Sequence, residues 1–176
     1  MSNLDCNIEF VPIRIAVLTI SDSRTLATDK SGSTLSDLIN KSGHVLVKRN
    51  LIKDDVQLIV EKLNYWILDS QIDIVITSGG TGVTGRDVTP EAFRQVIEKE
   101  IPGFGELFRW LSYATIGTST IQSRAMAGVA NGTYLFALPG STGAVKDAWD
   151  GILKHQLDVR HQPCNFIELI PRLSEK

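Results

Sequence analysis

The sequence predicts an α/β fold built on parallel strands. Three features carry that expectation: short β-branched runs, intervening segments with apolar residues at three- and four-residue steps, and glycine-rich or polar junctions where a strand hands over to a helix. The run "RIAVLTIS", residues 14–21, is apolar at nearly every position, as strands covered on both faces are. After the polar loop "DSRTLATDKSG", Leu35, Leu38 and Ile39 recur at helical spacing up to Gly43, a residue suited to ending a helix. "HVLVKRNLI" predicts a second strand, and Val56, Ile59, Val60, Leu63 and Ile67 trace the inward face of a second helix. "DIVITS", 73–78, predicts the third strand. Each helix must carry the chain back across a sheet face, so the alternation implies parallel pairing with right-handed crossovers.

In the second half, Thr89 is expected as an N-cap and Pro90 as the first residue of a helix running to about Glu100. "IPGFGELFRWLSY" restarts a helix whose Phe104, Leu107, Phe108 and Leu111 form an apolar stripe, facing either the core or another subunit. "TYLFALPG" predicts another buried strand and "STGAVKDAWDGILKHQLD" a long closing helix with Val145, Ala148, Trp149, Ile152 and Leu153 inward. The tail from His161 has no clear period.

A chain of 176 residues with 43% hydrophobic content suits one core, hence a single domain over 1–176 with its core at roughly 12–160 and short extensions. The formal net charge of −2 argues against nucleic acid or an anionic membrane as partner. No apolar run reaches the roughly 18 residues of a membrane span, and the first residues lack the basic start of a secretory signal. Cys6 and Cys164 stand far apart, as suits a reducing cytoplasm better than a disulfide framework. His44, His155 and His161 have no ligand spacing and read as structural.

The densest signal is "ITSGGTGVTGRDVTPEAF", 76–93, between the third strand and a helix. The first amides of a helix have no internal partners, and glycines ahead of it let the backbone approach an anion closely; Thr77, Ser78, Thr81, Thr84 and Thr89 add hydroxyls. Gly80, Gly82 and Gly85 match G-x-G-x-x-G, but several residues precede Pro90 and no strand ends about 20 residues on, against a dinucleotide fingerprint. No Lys-Ser/Thr pair follows, which excludes a Walker A loop. A plain glycine turn is the structural alternative.

Asp87 at the rim of an anion loop makes sense beside a divalent cation, because Mg²⁺ is commonly held by one or two carboxylates together with substrate phosphate oxygens. Asp54, at the end of the second predicted strand, is the candidate second carboxylate, since strand ends gather at one edge of a parallel sheet. Helix capping by Asp54 or Asp55, and by Asp87, is the alternative for each. "LPGST", 138–142, repeats the strand-to-helix junction with Ser141 or Thr142 as N-cap, and Ser123 and Arg124 are candidates for the same pocket.

The stretches "SGGTGVTGRDVTPEA", "PGFGELFR", "SRAMAGV" and "LPGSTGAV" resemble the MoaB/Mog molybdopterin-binding family, which includes molybdopterin adenylyltransferases, and the similarity spans nearly the whole chain. The resemblance implies a three-layer α/β/α sandwich that assembles as a homotrimer or homohexamer. It implies binding of molybdopterin, whose terminal phosphate attacks the α-phosphorus of MgATP to give adenylyl-molybdopterin and pyrophosphate; a non-catalytic molybdopterin carrier is the alternative. On this sequence it assigns Asp54 and Asp87 to Mg²⁺ and nucleotide. It assigns Gly79, Gly80, Thr81 and Gly82 to phosphates and sets Pro139, Gly140 and Ser141 against the pterin; the hydroxyls of Thr77, Ser78, Thr81, Thr89 and Ser123 join them as candidates for binding nucleotide or pterin. The chain keeps the acid motif "GRDVTPEA" whole and departs from many adenylyltransferases in having Ser141-Thr142 after "LPG".

Overall fold

The computed structural model describes residues 4–175. Its centre is a six-stranded sheet of order β2-β1-β3-β6-β5-β4, formed by β1 (Arg14–Ile20), β2 (Val45–Ile52), β3 (Ile74–Ser78), β4 (Lys99–Glu100), β5 (Met126–Ala130) and β6 (Thr133–Leu138). The first three strands and β6 pair in parallel, as the strand–helix alternation requires, while β6–β5 and β5–β4 are antiparallel. Helices α1 (Lys30–Lys41), α4 (Pro102–Ile116) and α5 (Thr142–Ala148) cover one face, and α2 (Val56–Ile67) and α3 (Thr89–Val96) cover the other. The three-layer α/β/α sandwich is thus present, with one apolar core on each side of the sheet. No helix among the described residues is long and apolar enough to cross a membrane.

Strands β1, β3 and β6 are apolar on consecutive positions because both faces are covered: Ile15, Val17, Ile74, Ile76 and Phe136 pack towards α1, α4 and α5, and Ala16, Leu18, Val75, Leu135 and Ala137 towards α2 and α3. The chain leaves β1 for β2 on one side and for β3 on the other, so a crevice opens beyond the carboxyl ends of β1 and β3, where the strand order reverses.

Four expectations need correction. Helix α3 stops at Val96 rather than near Glu100, because the amides of Glu98 and Ile101 donate to the carbonyls of Val129 and Ala127 and pull residues 99–100 into β4. Strand β5 was not foreseen, since "MAGVA" carries a single β-branched residue; its hairpin signal is Asn131-Gly132, whose φ angles of 45° and 76° supply the left-handed pair of a two-residue turn. Val88, not Thr89, precedes the first turn of α3, which begins at Thr89. The closing helix is interrupted, passing from α5 through a π-helical segment, Trp149–Leu153, into one last turn, Lys154–Gln156.

Asp29 anchors the loop that follows β1. Its carboxylate, only 1% exposed, caps α1 by accepting from the Gly32 amide at 2.9 Å, and also accepts from Thr19 Oγ1 at 2.7 Å and Arg49 at 2.9 Å. Burial pushes its pKa up, but the hydrogen bonds from Thr19, Gly32, Arg49 and Ser31 outweigh that and hold it below the usual carboxylate value. A depressed folded pKa contributes stability above the unfolded value that is lost as the pH falls through the folded one. Asp29→Ala leaves the Gly32 amide without its acceptor and Arg49 without its carboxylate partner, and should cost about 2–4 kcal/mol at pH 7 in urea unfolding. The gap to wild type should narrow on acidification below about pH 4.

Candidate functional site

The loop after β3 is held so that its carbonyls turn inward. Thr89 takes the first two, its hydroxyl donating to Gly79 O at 2.8 Å and its amide to Gly80 O at 3.0 Å. Arg124 takes the next two, its amide donating to Thr81 O at 2.9 Å and its Nε to Gly82 O at 2.6 Å. A second guanidinium nitrogen of Arg124 donates to Asp87 O at 2.6 Å, and the side chain also pairs with Glu91. The Gly79 amide donates to Leu138 O at the end of β6. Among the described residues the amides of Gly80 and Thr81 meet no acceptor, and both residues line an open cavity. Gly79 and Gly80 have φ of 117° and 63°, and a Cβ on Gly80 would lie 2.4 Å from Thr89 Oγ1 and 2.9 Å from Asp54 Oδ1, so this path accepts only glycine there.

The cavity, about 290 Å³, lies in the crevice beyond β1 and β3 and brings Asp54 and Asp87 together with Gly79, Gly80, Thr81 and Gly82. Asp55, not Asp54, caps α2, accepting from the Leu58 amide at 3.0 Å. Asp87 is no helix cap either: it accepts from the amide and hydroxyl of Thr84 at 2.9 and 2.6 Å. Neither carboxylate caps a helix, and both residues line the cavity. Burial raises the Asp54 pKa, and the nearby carboxylates of Asp22 and Asp87 raise it further. Burial also pushes Asp87 up, but the Thr84 hydroxyl and amide, the Gly82 amide and Arg124 outweigh it and hold Asp87 below its ordinary value. One carboxylate is well satisfied and its neighbour is not, an imbalance that a bound cation would correct.

Arg24 and Arg86 line the same cavity, Arg86 pairing with Asp22 and Arg24 donating to Ser31 Oγ at 2.8 Å. These were missed by motif reasoning; the signal was their position, in polar segments that follow β1 and β3 at the same sheet edge.

A second cavity, about 280 Å³, adjoins the first through Thr81, Gly82 and Pro139. Its wall is mostly apolar, with Phe108 and Ile116 on one face of α4 and Ala144 on α5. Pro139 lies in both cavities, Gly140 in the polar one, and Ser123 and Ser141 in the apolar one. Ser141 Oγ accepts from the Ala144 amide at 3.1 Å and so caps α5.

Three of the predicted site residues do not reach either cavity. Thr77 and Ser78 are fully buried in β3, because a central strand covered on both faces has no open side; the Ser78 hydroxyl points to Pro139 O at 3.4 Å. Thr89 is fully buried and holds the glycine loop from behind. Arg124, a candidate for the same pocket, also lines neither cavity and spends its guanidinium on the loop carbonyls and Glu91.

The family model described as "Probable molybdopterin binding domain" matches residues 16–159, which include both cavities. The chain belongs to this molybdopterin-binding family. Molybdenum cofactor biosynthesis protein B of Escherichia coli K12 is 47% identical over 158 residues, covering 90% of this chain and 93% of that protein. A crystal structure of a molybdenum cofactor biosynthesis protein B superposes with a TM-score of 0.84 at 37% identity, over 94% of this chain and 98% of that one. A tungsten cofactor synthesizing protein from Pyrococcus furiosus does so with a TM-score of 0.72 at 35% identity, over 82% and 92%.

Because Asp54 holds its proton more tightly folded than unfolded, ionising it lowers stability as the pH rises through the raised folded value. In metal-free buffer at pH 7, Asp54→Asn should therefore melt above wild type in differential scanning fluorimetry. The difference should vanish below about pH 4, where the unfolded carboxyl is also protonated.

Proposed function

We propose that this protein acts in molybdenum cofactor biosynthesis by adenylylating molybdopterin with MgATP, releasing pyrophosphate. The observation that carries the reading is the meeting of two aspartates with outward-facing amides at the seam of a polar and an apolar cavity. A phosphoryl-transfer site needs three things: donors for equatorial oxygens, neutralisation of charge, and alignment of attacking and leaving groups. The amides of Gly80 and Thr81 supply the donors, and Arg24 and Arg86 on the wall of the polar cavity supply positive charge. The terminal phosphate of molybdopterin, held at the seam, would attack the α-phosphorus of ATP while the bond from that phosphorus to the α,β-bridging oxygen breaks and the β- and γ-phosphates leave as pyrophosphate.

Asp54 and Asp87 fit Mg²⁺. They face one cavity, burial and neighbouring carboxylates at Asp54 outweigh the Asp22 amide and Arg86 that favour its charge, and a Cβ on Gly82 would fill the space 2.8 Å from Asp87 Oδ2, so the glycine keeps that carboxylate accessible. Among the described residues no group of three or more His, Cys, Asp or Glu forms a closed metal cage, which suits a cation that shares its coordination with substrate phosphates. When bound, Mg²⁺ would neutralise the charge that develops on the phosphate oxygens.

We also assign the exposed face of α4 and the turn after it to self-association as a homotrimer or homohexamer. Trp110 is 72% exposed, and Leu107, Tyr113, Ile116 and Ile121 lie open beside it, an apolar patch that a lone chain in water would leave uncovered.

Asp87→Ala should lower pyrophosphate release from molybdopterin and MgATP by at least about 100-fold while leaving molybdopterin affinity within about threefold. Full turnover in the variant would refute the role of Asp87; wild-type protein that binds molybdopterin yet releases no pyrophosphate would leave a carrier. Trp110→Glu should shift the mass measured by light scattering from a multiple of the chain to that of one chain.

A further inference from the structure

The two cavities differ in charge, and that difference sorts the substrates. The polar cavity has two arginines and free amides beside Asp54 and Asp87, whose charge a cation would neutralise; the apolar one has no Lys, Arg or His on its wall and a single carboxylate, Asp147, one turn beyond Gly143 and Ala144 on the same face of α5. A phosphate is repelled there, and an uncharged ring with N–H donors is favoured. A second observation points to a ligand in the same place. Ser112 is only 3% exposed, its hydroxyl has no hydrogen-bond partner among the described residues, and it lines this cavity from α4, as Asp147 does from α5. A buried hydroxyl left unpaired is costly, and a ring heteroatom in the cavity would satisfy it.

We propose that Asp147 and Ser112 are the residues that select the ring, with Asp147 accepting from two adjacent N–H donors of a 2-amino-4-oxo pteridine and Ser112 pairing a heteroatom of the same ring. This rests on the molybdopterin reading above. A carboxylate presents two acceptors side by side, which match the 2-amino group and N3–H of such a ring. Adenine offers a donor beside an acceptor on its pairing edge, so its N1 lone pair would face a carboxylate oxygen. The apolar cavity therefore takes the pterin, and the adenine of ATP lies elsewhere.

The test uses full-length protein without nucleotide and reads the fluorescence of bound molybdopterin while a simple pterin, with the donor pair, or lumazine, whose 2-oxo group replaces the amine, competes. The wild type should prefer pterin over lumazine by about 10–100-fold. Asp147→Asn, which presents one donor and one acceptor, should weaken molybdopterin about 10-fold or more and shift preference towards lumazine. It should leave the KM for MgATP within about twofold. Ser112→Ala should weaken molybdopterin about threefold to tenfold. Equal competition by pterin and lumazine, unchanged by Asp147→Asn, would overturn this assignment while leaving molybdopterin binding intact. So would a raised MgATP KM with molybdopterin affinity unaltered, because the cavity would then hold the adenine. Wild-type protein that gives no fluorescence change with molybdopterin would overturn the functional reading itself.

Discussion

The carbonyls of Gly79 to Gly82 must all be turned away from the crevice for the amides of Gly80 and Thr81 to face it. Two residues impose that orientation. Thr89, the first residue of α3, uses hydroxyl and amide on one half of the loop, and Arg124, just before β5, uses amide and guanidinium on the other. A loop of this composition would otherwise sample many conformations, since glycine loses more freedom on ordering than any other residue. Fixing it from behind leaves its front face free and preorganised, the condition under which backbone dipoles act on a developing charge without reorganising.

Electrostatics then divides the crevice. Asp87 is stabilised by Thr84, the Gly82 amide and Arg124, whereas Asp54 carries burial and two neighbouring carboxylates with little in return. The rest of the fold offsets that cost. Asp29, a few residues from Arg24, is fully paired, and the sheet beneath is apolar on both faces. A site that costs stability when empty and recovers it with a bound ligand is the pattern expected where function and folding compete.

Much of this was legible in the sequence where a single periodicity or residue type decides the outcome. The runs at 14–21, 44–52 and 73–78 predict β1, β2 and β3 to within a residue at their ends, the apolar spacing from Val56 to Ile67 predicts α2, and the four glycines between β3 and α3 mark the loop. Asp54 and Asp87 were legible as partners because parallel strands share an edge. What escaped depends on tertiary pairing. Strand β5 exists because Asn131-Gly132 folds it onto β6, and β4 because β5 offers an edge, so "MAGVA" and "KE" have no strand signature of their own. The hydroxyls of Thr77, Ser78 and Thr89 looked like donors for a ligand, yet sequence position alone does not say on which side of a covered strand or helix a side chain emerges. Arg24 and Arg86 belong to no motif and enter the site only through the loops that carry them.

The most direct measurement is a crystal structure of the protein with Mg²⁺ and a non-hydrolysable ATP analogue. Phosphate oxygens about 3 Å from the amides of Gly80 and Thr81, with the cation between them and the carboxylates of Asp54 and Asp87, are the expected result. A nucleotide whose phosphates lie away from that loop, with both aspartates facing only solvent, would contradict the account.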